Sequence, residues 1–153
     1  MYAVFAPQHS FLRLIRKEAP PHNIEVTSGG GVLTDDEYAR KFGISRRGIE
    51  SGAYLRTLTL KEYLGVFLMQ NALVHYPRGE YGQALAYFET ANELDPRDPV
   101  YLKYLASCWK NAAKTAFESG LPELAAKHFE KSLAFGRRAD ELGFSRGPNQ
   151  AGR

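Results

Sequence analysis

The clearest alternation of apolar and polar positions lies between Gly79 and Pro96, GEYGQALAYFETANELDP. Ala84, Phe88, Ala91 and Leu94 stand three or four residues apart, which sets them on one stripe of an amphipathic helix. A second copy starts at Gly120, GLPELAAKHFEKSLAFG, and Ala84 and Phe88 recur there as Ala125 and Phe129, each 41 residues on. A helical pattern repeated at one offset predicts stacked units whose matched apolar residues share an interior. Both Phe88 and Phe129 are expected inside it.

Local signals predict the remaining elements. Thr59-Leu60-Lys61-Glu62 has the form of a capping box and opens a helix that ends at Pro77 and Gly79. Asp98-Pro99 is an N-cap with proline at the first helical position, and the helix it starts runs to Gly120. The last helix begins at Pro122 and fades near Gly143. Before these hairpins, Tyr2–Ala6 and Ser10–Ile15 are short β-type runs, with a third strand over Asn23–Thr27 reached through a turn at Ala19-Pro20-Pro21. Ser28-Gly29-Gly30-Gly31 is a break, a second capping box at Thr34–Glu37 starts a short helix, and Ser45 caps another turn.

The fold expected is therefore mostly α: two stacked helical hairpins, residues 60–95 and 99–142, after a small α+β piece of about three short strands. In domains, this divides the chain into an α+β segment over 1–57, a helical repeat region over 58–143 and a disordered tail over 144–153.

Composition narrows the function classes. The 20 basic and 17 acidic residues leave a net charge of +3, spread along the chain instead of gathered in a patch, and this argues against nucleic-acid binding. No apolar run reaches the roughly 18 residues of a membrane span, and the first residues lack a signal peptide's pattern, so a cytoplasmic protein without membrane attachment is expected. The single cysteine rules out an intrachain disulfide framework. His9, His22, His75 and His128 show no pair at metal-ligand spacing, so neither a metal nor a cofactor is expected.

On Ala84, Phe88, Ala91 and Pro96, preceded by Gly79 and Tyr81, the chain resembles the tetratricopeptide repeat. The resemblance implies a protein or peptide partner held on the surface of the first helices. On the helix from Pro99, Lys103, Lys110 and Lys114 lie on one stripe beside Asn111 and are the expected partner-binding residues; the alternative is a solvated outer face. Two repeats are fewer than the three or so that a stack needs, which leaves pairing of end hairpins into a homodimer as a further reading.

YAVFAPQHSFLRL followed by HNIEVTSGG resembles the C-terminal half of a bacterial transglutaminase-like domain of the papain-like superfamily. That resemblance implies His9 as general base and Glu25 as its orienting carboxylate. The cysteine nucleophile of such domains lies upstream, and Cys108, in the middle of a helix, does not replace it. Two functions follow: a non-catalytic helical-repeat binding module carrying a truncated transglutaminase-like segment, or the C-terminal part of a cysteine-dependent amidase or protease.

Overall fold

A computed structural model of the chain describes residues 1–27 and 30–145. Among the described residues, six α-helices and a three-stranded antiparallel sheet make the fold mostly α with a small N-terminal α+β piece. The chain forms two compact units: Met1–Tyr63 with the described residues from Leu142 on, and Leu64–Glu141. No helix among the described residues is long and apolar enough to cross a membrane.

In the first unit, β1 (Tyr2–Ala6), β2 (His9–Arg16) and β3 (Ala19–Ile24) form a meander in chain order. Val4 stands opposite Phe11, and Leu12 opposite Ile24. Side chains alternate along a strand, so His9, Phe11 and Arg13 share one face. Helix α1 (Asp35–Phe42) covers that face: Tyr38 is fully buried and stacks on Phe11 with ring centroids 3.8 Å apart. The capping box at its start is formed in both directions between Thr34 and Glu37. Helix α2 (Arg46–Glu50) is capped by the Ser45 hydroxyl. The outer edge of β1 is not left open, because the Leu55 and Leu58 amides donate to Phe5 and Ala3 carbonyls. Leu142–Ser145 closes the unit: Ser51 Oγ donates to the Leu142 carbonyl at 2.8 Å, and the Ser145 amide donates to Tyr54 Oη.

The second unit holds two helical hairpins. Helix α3 (Leu60–His75) and α4 (Tyr81–Leu94) flank a short 3-10 turn at Tyr76–Arg78. Helices α5 (Pro99–Glu118) and α6 (Pro122–Glu141) form the second pair. Asp98 caps α5 by accepting from the Val100 amide at 2.8 Å. The first hairpin crosses closely because residue 65 is glycine: a Cβ there would lie 3.2 Å from both the Ala91 carbonyl and Tyr101 Oη. The second is tied along its length by Ser132 Oγ donating to the Ala106 carbonyl, by Trp109 against His128, and by the Lys131 ammonium over the Trp109 ring. Between hairpins, Tyr104 of α5 stacks on Phe88 of α4 at 4.7 Å and meets Tyr76 edge-on, while Ser107 Oγ lies 2.5 Å from Tyr76 Oη.

The structure differs from the expectations at three points. The third strand begins at Ala19, not Asn23, and the turn before it is Lys17-Glu18. The prolines read as a turn sit in an outer strand with an irregular register, where missing amide donors are tolerated. The units divide at Tyr63 and Leu64, and Leu142 onward belongs with the first because Ser51 and Tyr54 hold it there. Finally, Phe88 is fully buried but Phe129 is 47% exposed. Tyr104 covers the first, and among the described residues no further hairpin covers the second. Of the expected break at Ser28–Gly31 and tail at 144–153, residues 28–29 and 146–153 lie outside the described residues.

Candidate functional sites

His9 opens β2 and Glu25 directly follows β3, so the meander brings together two residues 16 apart in sequence. His9 Nε2 lies 2.7 Å from Glu25 Oε2. Glu25 is almost entirely buried and receives further bonds from the Thr27 amide (3.0 Å), the Thr27 hydroxyl (2.7 Å) and Tyr38 Oη (3.2 Å). Burial alone would raise its pKa; the Thr27 hydroxyl and amide, and then His9, outweigh that and hold it at about 2. Glu25 is therefore a carboxylate at neutral pH and can only accept, so the Nε2 proton resides on His9 and donates to it. Nδ1 is then the basic nitrogen of the neutral ring. Phe42 flanks the imidazole, its ring parallel within 12° and 5.0 Å away, and Tyr38 lies beyond at 6.1 Å. Burial, followed by the Glu25 charge, pushes the Tyr38 hydroxyl up to about 12, so it remains a donor.

This is a held imidazole with one basic nitrogen, which can accept a proton but supplies no nucleophile. Cys108 lies in the other unit, inside α5, buried to 1%. Burial, with a smaller contribution from Glu89, pushes its thiol up to about 11, the opposite of what an attacking thiolate needs.

The same sheet face carries a second polar cluster that the sequence reading missed. Arg13 is buried and donates through Nε to Asn23 Oδ1 at 2.8 Å, to the Leu55 carbonyl at 3.0 Å, and to Asp35 Oδ1, which Asn23 Nδ2 also reaches at 2.6 Å. A hollow of about 290 Å³ opens beside Arg13, Asn23 and Asp35. The alternation His9, Phe11, Arg13 was the available signal, since it places an arginine on the face that a helix must cover. Among the described residues no group of three or more histidine, cysteine or acidic side chains comes together as a metal site would require.

The expected partner-binding residues differ in their local partners. Lys103 is paired with Asp140 of α6 at 2.6 Å, Lys114 lies 3.7 Å from Glu118 on its own helix, and Asn111 Nδ2 donates to the Ser107 carbonyl one turn back. Lys110 is exposed and has no partner among the described residues.

Lys110 also stands 41 residues after Met69, within the repeat. In the first hairpin, Gly65, Tyr76 and Phe88 meet Tyr101, Tyr104 and Ser107 of α5, and Met69 and Ala72, between Gly65 and Tyr76 on α3, are buried. Forty-one residues on from those five stand Ala106, Lys110, Ala113, Phe117 and Phe129. In this second row Lys110, Phe117 (71%) and Phe129 (47%) are exposed, as is Leu133, whereas Ala113 is buried and Ala106 half-buried. Phe88 is thus covered by Tyr104, while Phe129 at the matching position is half-exposed.

No family model, curated protein or solved structure matches the chain.

Proposed function

We propose that this chain is a non-catalytic helical-repeat module that binds a helix of another protein on the open face of its second hairpin. One observation carries the reading: Phe117 and Phe129, which stand 41 residues after Tyr76 and Phe88, are exposed where Phe88 is buried under Tyr104 of α5. Large apolar side chains gathered on one face favour a partner that removes them from water. The resemblance to tetratricopeptide repeats agrees with it. A labelled peptide spanning Pro99–Glu118, the natural occupant of the equivalent face, is the probe. Saturable binding by fluorescence anisotropy, weakened at least tenfold by Phe129→Asp and unaffected by Glu25→Gln, is expected. Absence of saturable binding overturns the reading.

A second reading is favoured by the formed His9–Glu25 pair: the N-terminal unit is the base-and-carboxylate half of a cysteine-dependent transglutaminase-like amidase or protease. It requires a nucleophile supplied from upstream. The upstream reading frame tests it: an in-frame cysteine whose alkylation rate falls when His9 is changed to Ala supports it, and the absence of any upstream cysteine ends it.

A further inference from the structure

Helix α6 carries two lengthwise seams. One is buried: Ala125, Ser132 and Ala139 stand seven residues apart, and Ser132 bonds the Ala106 carbonyl of α5. The other is turned to solvent. Pro122, Ala126, Phe129, Leu133 and Gly136 follow one another at alternating steps of four and three residues, the spacing with which one helix lies along another. Pro122 and Ala126 are exposed, Phe129 and Leu133 are open to 47% and 44%, and Gly136 is half-buried. Packing within the chain does not account for Gly136. Its backbone is not left-handed, and a Cβ added there would meet nothing within 4 Å. Glycine weakens a helix interior, and the close approach of an outside backbone gives it a use.

We propose that the occupant of this seam is a second copy of the chain, whose α6 lies antiparallel along α6 of the first. This rests on the binding-module reading and names the helix bound. The seam complements itself: turned end over end about position 131, it sets Phe129 against Leu133 and Ala126 against Gly136. Phe129 and Leu133 of both copies then gather into one central apolar cluster, and the small residues on either side let the backbones come close. Charge follows the same reversal. Glu123 near the start of α6 and Arg137 near its end are exposed beside the seam, so each glutamate reaches the level of the other copy's arginine. The antiparallel helix dipoles also favour each other. Glu130, beside the two-fold axis, meets the like charge of its own counterpart. Both copies use the same surface, so the contact closes at two chains.

Sedimentation equilibrium of the full chain tests this. The wild type is expected to pass reversibly from monomer to dimer and to go no further at high concentration. Phe129→Asp and Leu133→Asp, both at exposed positions, should each weaken dimerisation at least tenfold with unchanged helical circular dichroism. Glu130→Gln removes the like pair at the axis and should tighten the dimer roughly two- to fivefold, the range of an exposed charge pair. Register is read by cross-linking in a Cys108→Ala background. Glu123→Cys mixed with Arg137→Cys should be joined by a short bismaleimide, whereas neither variant alone should be. Cross-linking of Glu123→Cys to itself, which a parallel pair would give, overturns the proposal. So does a mass that climbs past the dimer, or a wild type that is monomeric throughout. If such a monomer still binds the Pro99–Glu118 peptide, the module reading stands and only the self-partner is lost; if it does not, both fall.

Discussion

Glu25 Oε2 accepts the Nε2 proton of His9 across 2.7 Å, although neither residue lies on an element that would place them together by sequence neighbourhood alone. The β2–β3 pairing does so, and Thr27 and Tyr38 complete the carboxylate's bonds. The pair thus serves the first unit as a structural anchor whatever chemistry it takes part in.

Replacing Glu25 should consequently cost stability. Glu25→Ala leaves the Tyr38 hydroxyl and the Thr27 donors without their acceptor, and hydrogen bonds to charged groups contribute roughly 1.5–3 kcal/mol each. A loss of about 2 to 3 kcal/mol in urea-induced unfolding is expected after local relaxation. A loss below the error of the measurement would mean that water replaces the carboxylate without consequence.

The same group makes the protein acid-sensitive. Its folded-state pKa of about 2 lies below the ordinary 4.5, so the stability it contributes is present above about 4.5 and lost as the pH falls toward 2. The gap in melting temperature between wild type and Glu25→Gln should narrow over that interval. At the alkaline end Tyr38 acts with the opposite sign. Its hydroxyl is raised from 10 to about 12, so its contribution is intact below pH 10 and lost as the pH rises toward 12. Tyr38→Phe should flatten the alkaline limb of the melting curve while keeping the ring stack on Phe11.

Cys108 should behave as an inert core residue. With the thiol buried and pushed up to about 11, reaction with a thiol reagent at neutral pH should be slow in the native state and complete on addition of denaturant. Rapid native-state labelling would contradict the placement of Cys108 inside α5.

The closure of the first unit depends on Gly143. Its φ is +79°, and a Cβ there would approach the Gly48 amide nitrogen to 2.5 Å. Gly143→Ala combines left-handed backbone strain with a backbone clash and should destabilise by about 2 kcal/mol or more. Calorimetry of the variant checks this, and a melt equal to wild type would show that Leu142–Ser145 does not dock on α2.

Legibility in the sequence followed the range of the interaction. The helix starts at Thr34, Thr59 and Asp98 were readable because a cap is made within three residues of itself. The 41-residue offset was readable because it is a property of the string. Arg13, Asn23 and Asp35 were not, since their meeting depends on strand register and on where α1 lands. Periodicity placed Phe129 on the correct stripe but could not reveal whether another element arrives to cover it. The Pro20-Pro21 pair misled because proline signals a turn in isolation and an outer strand in the context of a sheet.

The central claim, that Phe88 is sealed and its counterpart Phe129 open, is tested most directly by paired truncations. Phe88→Ala and Phe129→Ala are compared in urea at a concentration low enough to keep the chain monomeric. The buried Phe88 should cost about 3–5 kcal/mol, as expected for a phenylalanine removed from a packed core, and the half-exposed Phe129 less than about 1 kcal/mol. Equal losses at the two positions would contradict the account.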